Sequence, residues 1–183
     1  MNKVYALIGP PAAGKTTIQK ELLKYGIPAM LSHTTRKPRD GEQHGTHYYF
    51  VSREEFQKTE IIERVEYSGS VYGLSKTEVL DKVNRHPVST VAVETQGFVQ
   101  LKKLLANRVA SIFIMVDYDT VISRLLDRGD DNGLINRRLE YANSTGEFNN
   151  WQTADYVVKN TGCLDSAVRQ ILAITGKLTP SPD

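Results

Sequence analysis

Short apolar runs rich in β-favouring residues recur along the chain, separated by stretches whose apolar positions fall three and four residues apart. The runs cover residues 4–9, 29–32, 89–94, 110–116 and 156–159, each of strand length. The intervening stretches, 15–25, 77–83, 97–105, 120–127, 134–145 and 164–174, carry the amphipathic period of helices. Strand and helix alternate, so the pattern predicts an α/β fold, a three-layer architecture in which a five-stranded parallel sheet is covered on both faces. Residues 33–73 interrupt the alternation with polar loops, a short helix opened by a Ser52–Glu55 capping box, and two strand-like runs at 61–67 and 71–73 joined by a Ser68-Gly69 turn. This segment is expected to be an inserted subdomain.

A chain of 183 residues is also the right length for one domain. The expected layout is a core of residues 1–32 and 74–175, an insert at 33–73, a lid at about 128–138, and a flexible tail at 176–183 ending in Pro180 and Pro182. A hydrophobic content of 40% and a charged content of 24% exclude a disordered or low-complexity chain. Lys+Arg 23 against Asp+Glu 21 leaves +2, too weak a field for sequence-independent nucleic-acid binding. The apolar run 4–8 is too short for a signal segment, and no run reaches the roughly 18 residues of a membrane span. With a single cysteine, Cys163, read as a small packing residue, these features predict a cytoplasmic protein without membrane or nucleic-acid partners.

Gly9-Pro10-Pro11-Ala12-Ala13-Gly14-Lys15-Thr16 fits the eight-position Walker A pattern and lies between the first predicted strand and the first predicted helix. Gly9 and Gly14 let the backbone curl, so that the amides of the Ala12–Ala13 turn and of the helix start, through Thr17, face a nucleotide's phosphates. Lys15 is positioned to reach the β- and γ-oxygens, and Thr16 to ligate Mg²⁺. A nucleoside triphosphate is thereby the expected ligand. Additional cations cluster at Arg36, Arg39, Arg124, Arg128, Arg137 and Arg138. Arg124 and Arg128 share one helix face and lead into the segment from Gly129 to Gly133, whose glycines suit a moving lid. Guanidinium groups match phosphate oxygens bidentately.

The string from Ser32 through Arg36-Lys37-Pro38-Arg39-Asp40-Gly41-Glu42 to Tyr48-Tyr49-Phe50 resembles the acceptor-binding segment of guanylate kinases. The likeness extends over nearly the whole chain. It includes the Walker loop, Glu63, Tyr72-Gly73, Gln96-Gly97, the Arg124 to Arg128 spacing, Ile135-Asn136-Arg137-Arg138 and Asp155-Tyr156-Val157-Val158 followed by Asn160. The resemblance implies that Arg36, Arg39, Tyr48 and Tyr72 bind the phosphate of GMP, with Arg39 also serving catalysis, while Ser32 and Glu63 read its base. It implies that Arg124, Arg128 and Arg138 close over the ATP phosphates and that Asn160 belongs to the ATP site. Tyr49 and Phe50 read instead as core residues.

Guanine presents N1–H and N2–H donors side by side, and one carboxylate accepts both, a task that suits Glu63. Glu94, at the end of a predicted buried strand, is either a second guanine reader or an acid that orders water on Mg²⁺. The chain departs from the family pattern at Leu74, where a hydroxyl residue usually helps to bind guanine, with Ser75 one position later, and at Ala92 and Glu94, where aspartates are common. The expected reaction is phosphoryl transfer from ATP to GMP. A P-loop kinase of another nucleotide or of a ribosyl bisphosphate, and a non-catalytic phospholigand-binding module, are the alternatives. Glu63 and Ser32 weigh against the first, Lys15, Thr16 and the arginines against the second.

Overall fold

The computed structural model describes residues 2–67 and 69–178. Its elements run β1 (Lys3–Ile8), α1 (Lys15–Leu23), β2 (His33–Thr34), β3 (Tyr49–Phe50), α2 (Arg53–Lys58), β4 (Ile61–Tyr67), β5 (Ser70–Ser75), α3 (Lys76–Arg85), β6 (Val88–Ala92), α4 (Thr95–Leu105), β7 (Val109–Met115), α5 (Tyr118–Asp127), α6 (Asn132–Ser144), β8 (Tyr156–Lys159) and α7 (Leu164–Ile174).

The main sheet is parallel, in the order β6-β1-β7-β8. Its inner strand β1 is apolar from Val4 to Ile8 because helices cover both of its faces. Val4, Ala6 and Ile8 enter one core cluster with Val79 and Val83 of α3 and Phe98 and Leu101 of α4. Tyr5 and Leu7 enter the other, with Ile18 and Leu22 of α1 and Val168 and Ile171 of α7. Successive residues of a strand point to opposite faces, so one continuous apolar run supplies two cores.

The sheet has four strands rather than the expected five. The run 29–32 makes a single parallel bridge, Ala29 to Thr90. Pro28 has no amide to give to a ladder. Its carbonyl accepts from Thr90 N at 2.9 Å, and Met30 N donates to Thr90 O at 2.7 Å. The next amide, Leu31 N, turns away to the carboxylate of Glu78 at 3.0 Å, and the ladder ends there.

Residues 33–75 build a separate mixed sheet, β3-β2-β5-β4, in which β2 and β3 are parallel and the other pairs antiparallel. The capping box of α2 has both arms, Ser52 Oγ accepting from Glu55 N at 3.1 Å and Glu55 Oε2 from Ser52 N at 2.7 Å. The hairpin between β4 and β5 pairs Tyr67 with Ser70, and Ser68 of the expected turn lies outside the described residues. So do residues 179–183 of the tail, whereas Lys177 N and Leu178 N donate to Leu172 O at 2.8 and 3.1 Å. The segment read as a glycine-rich lid loop is a tight link between helices. Gly129 takes a left-handed φ of 79°, Asp131 caps α6 through Leu134 N at 2.9 Å, and Gly133 lies inside that helix. Cys163 is exposed rather than packed, because it precedes α7 at the helix's solvent-facing start.

Leu74 also departs from expectation. It is 0% exposed and packs in the core with Met30, Val79 and Val93, so it is a core side chain and not a stand-in for a hydroxyl in a ligand pocket. Ser75, the other candidate for that hydroxyl, is buried at the head of α3, where it accepts from Glu78 N at 3.2 Å. Leu74→Thr is therefore expected to lower stability by roughly 2–5 kcal/mol, since it removes buried methyl groups and leaves a hydroxyl in an apolar core. Urea unfolding checks this; an unchanged midpoint would contradict the buried placement.

Candidate active site

The phosphate loop follows β1 at the carboxyl end of the parallel sheet, where open α/β folds bind ligands. Its backbone is bent by positive φ at Gly9 (134°), Ala12 (56°) and Gly14 (92°). The first and last bends require glycine on packing grounds as well. A Cβ on Gly9 would lie 2.7 Å from Ile114 O, and one on Gly14 would lie 2.6 Å from Asn160 Nδ2. Ala12 is a non-glycine residue in the left-handed region, costing about 1–2 kcal/mol, and its carbonyl is held by Arg124 Nη1 at 3.1 Å. Asn160 Nδ2 donates to Ala13 O at 2.8 Å, and Arg124 Nη2 ties Asn160 O at 2.8 Å. Lys15 Nζ folds back to donate to Gly9 O and Pro10 O. Burial pulls this ammonium below its ordinary pKa, an effect opposed by Glu147 and Glu94 and reinforced by Arg128.

A cleft of about 410 Å³ opens beside the loop. Lys15 and Thr16 line it from the core, Ser32, Tyr48, Glu63 and Tyr72 from the insert side, and Glu94, Arg138, Tyr141 and Glu147 complete the wall. On the insert, Arg36 joins the tyrosines through a bond from its Nε to Tyr72 Oη at 3.1 Å and lies 5.6 Å from the centre of the Tyr48 ring. Glu42 pairs with its guanidinium at 2.9 Å and accepts from Arg39 N at 2.8 Å. The expectation of core packing for Tyr49 and Phe50 fails. Phe50 sits 5.7 Å from the Arg36 guanidinium, and Tyr49 bonds Glu78.

Glu63 owes its place to an irregularity between Ile61 and Glu63 in the β4–β5 ladder. Ile61 and Phe56 both lie over Gly73, whereas Glu63, Val65 and Tyr72 line the cleft. Burial, with Glu94 adding to it, pushes the Glu63 carboxyl up to about 7. Glu94 lies just beyond β6, at the head of α4, and accepts from Tyr141 Oη at 2.9 Å. Glu147 is 7% exposed, and burial pushes it up to about 7, opposed by Lys15 and reinforced by Glu94.

Other expected site residues stand apart from the cleft wall. Arg124 and Asn160 brace the loop from behind, Thr17 is exposed on α1, and Arg39 and Arg128 are exposed. Arg138, which does line the cleft, is paired with Asp130 at 2.8 Å. Partial desolvation of the guanidinium, then Arg138, and further Arg39 and Arg124 lower the Arg128 pKa against the opposing pull of Asp130, so these cations act on one another despite coming from different elements. The sequence reading missed Tyr141 and Glu147. Tyr141 follows Arg138 by three residues and so shares its helix face, a signal that was available. Glu147 lies in a polar stretch after α6 that reads as solvated, and no local pattern marks it.

A doubly covered parallel sheet with this loop after an inner strand defines a P-loop nucleotide-binding protein. The guanylate kinase family model matches residues 1–175. The guanylate kinase of Anaplasma phagocytophilum is 34% identical over 175 residues, covering 91% of this chain and 82% of that protein, and that of Bartonella henselae is 34% identical over 178 residues, covering 93% and 79%. A crystal structure of the Anaplasma phagocytophilum guanylate kinase superposes with a TM-score of 0.73 at 27% identity, covering 96% of this chain and 85% of that one. The chain belongs to the guanylate kinase family.

Gly97, in the first turn of α4, leaves room for Glu63: an added Cβ would lie 2.7 Å from Glu63 Cγ and 3.0 Å from its Cδ. Gly97→Ala gains about 1 kcal/mol of helix propensity yet must displace that carboxylate. The expected outcome is at least a fivefold rise in the KM for GMP in a protein that still folds, the added Cβ also meeting Val93 Cβ at 3.0 Å, which offsets the gain in propensity. Unchanged GMP kinetics would contradict a ligand role for Glu63.

Proposed function

We infer that the protein is a guanylate kinase that transfers the γ-phosphoryl group of ATP to GMP, giving ADP and GDP. The observation that carries this reading is a single cleft lined by the phosphate-loop pair Lys15 and Thr16 and, from the insert side, by Ser32, Tyr48, Glu63 and Tyr72. ATP fits the loop side, with Asn160 and the loop amides on the donor. GMP fits the insert side, with its phosphate toward Arg36, Arg39, Tyr48 and Tyr72 and its base toward Ser32 and Glu63. Glu94, bonded by Tyr141, stands with the base-reading or metal-water group.

The acceptor phosphate has a second pKa of about 6, so its attacking oxygen is already ionised at neutral pH and no general base is needed. Catalysis then rests on alignment and on charge. Lys15 leaves the loop carbonyls to meet the transferring phosphoryl oxygens, and Arg39, Arg128 and Arg138 neutralise charge that builds between donor and acceptor. Arg124 contributes by holding the loop in shape. Closing of the insert and of the α5–α6 corner expels water that would otherwise take the phosphoryl group.

Mg²⁺ suits this chemistry because it is held mainly by substrate phosphates and water, with few protein ligands. Thr16 lines the cleft, and its hydroxyl would hold the ion, which would supply charge neutralisation for the nucleotide's phosphates. No described helix is long and apolar enough to cross a membrane, and a cytoplasmic setting fits a chain with a single cysteine.

An acceptor screen with GMP, dGMP, AMP, UMP, CMP and ribose phosphates tests the reading, GMP being the expected substrate. Within it, Lys15→Ala should fold normally and lose about 100- to 1,000-fold in turnover. Near-normal turnover would sink the loop assignment. Glu63→Gln should lower GMP kcat/KM roughly 5- to 150-fold while sparing other acceptors, because an amide then faces guanine's own donors. The wild-type value should rise between about pH 6 and 8 as the Glu63 carboxyl, at about 7, ionises into the acceptor form that guanine needs, and Glu63→Gln should remove the part of that rise not due to GMP itself. An equal loss for every acceptor would make Glu63 structural.

A further inference from the structure

Glu78 is a buried carboxylate that the reaction does not use, 7% exposed in the first turn of α3. Its own amide bonds Ser75 Oγ at 3.2 Å, which fixes the helix start. Its two oxygens face different parts of the chain. Oε1 accepts from Leu31 N at 3.0 Å, and Oε2 accepts from Tyr49 Oη at 3.0 Å, with Lys82 Nζ 3.8 Å from Oε1. Leu31 is where the chain leaves the main sheet, and Tyr49 is the first residue of β3 in the insert. Ser32 O and Thr34 O, just beyond Leu31, receive Tyr49 N at 3.0 Å and Val51 N at 2.9 Å, so the two arms of the contact grip one strand pair. The His33 ring lies 4.7 Å from that of Tyr49 and fills the space beside it. Burial and Glu78 push the Tyr49 hydroxyl up to about 12, so it remains a donor at neutral pH.

A second tie between the insert and α3 runs through Lys76, whose amide donates to Glu60 O at 2.9 Å and whose Nζ pairs with Glu60 Oε1 at 2.8 Å in a solvated contact, but it holds the chain at the start of β4 and not the β2–β3 strand pair. Glu78 itself is buried, and each of its arms adjoins a residue that lines the cleft: Ser32 follows Leu31, and Tyr48 precedes Tyr49. We propose that Glu78 is a positioning residue that sets the angle at which the insert presents Ser32 and Tyr48 to the acceptor nucleotide. The proposal rests on the reading of the insert as the GMP-binding side. Glu78 touches no reacting atom and acts through Leu31 and Tyr49. When the grip is cut, the insert spends only a fraction of its time in the binding orientation, so the apparent GMP affinity falls by that fraction, while saturating GMP restores the closed form.

Tyr49→Phe cuts the insert arm and keeps the ring, and Glu78→Ala cuts both arms. Glu78→Gln restores them, its carbonyl accepting from Leu31 and its amide donating to the Tyr49 oxygen. The first two variants are expected to raise the GMP KM about 3- to 10-fold with kcat and the ATP KM within twofold, and Glu78→Gln to stay near wild type. Amide hydrogen exchange of the intact protein should quicken at Tyr49 and Val51 in Tyr49→Phe, while Met30, bonded to Thr90, stays unchanged. An unchanged GMP KM with unchanged exchange overturns the proposal, and so does a joint fall in kcat, both affinities and melting temperature, which is the mark of a merely structural role. Exchange in the wild type with and without GMP separates the two readings. If GMP fails to slow exchange across residues 32–50, the acceptor reading itself fails; if GMP slows it equally in wild type and variants, only the Glu78 proposal falls.

Discussion

For the phosphate loop to turn its amides toward the cleft, its carbonyls must point elsewhere and be satisfied there, and the rest of the site depends on how that is achieved. Gly9 O and Pro10 O are taken by Lys15, Ala12 O by Arg124 and Ala13 O by Asn160. The donors come from α1, α5 and the end of β8, elements that meet because parallel strands deliver their carboxyl ends to one edge of the sheet. The brace therefore links a local backbone shape to the global topology. It also explains why a strained Ala12 is tolerated: its carbonyl is held by a cation that is itself tied to Asn160.

The same edge concentrates charge of both signs. Desolvation, with a smaller push from neighbouring arginines, depresses Lys15 and Arg128, and burial raises Glu63 and Glu147 to about 7 in the same cleft. Each sign suits a different part of the substrates. Cations suit polyphosphate, and a buried carboxylate suits guanine's paired donors, which adenine lacks. In the proposed binding mode the loop side acts on the donor's phosphates, and the insert side holds both the phosphate and the base of the acceptor.

The alternation of strand and helix and the Walker spacing were legible because they are local: a buried strand must be apolar, and a curled loop must have glycine at its ends. The fifth strand was misread since 29–32 looks like a strand, yet Pro28 and the distant Glu78 end its ladder after one bridge. Leu74 was assigned to a pocket by likeness to a pattern, whereas its burial follows from the packing of β5 on α3 and α4, which no local signal encodes. Glu147 and Glu78 escaped notice for the same reason. A lone glutamate in a polar stretch or on an amphipathic helix reads as solvated until the fold buries it.

The central claim is that one cleft holds donor and acceptor together and passes the phosphoryl group directly between them. A single-turnover reaction with γ-labelled ATP, GMP and Mg²⁺ tests this most directly. The label is expected to move to the β-position of GDP one for one with ADP formed. Label released as inorganic phosphate, or carried to another acceptor while GMP stays unlabelled, would contradict it.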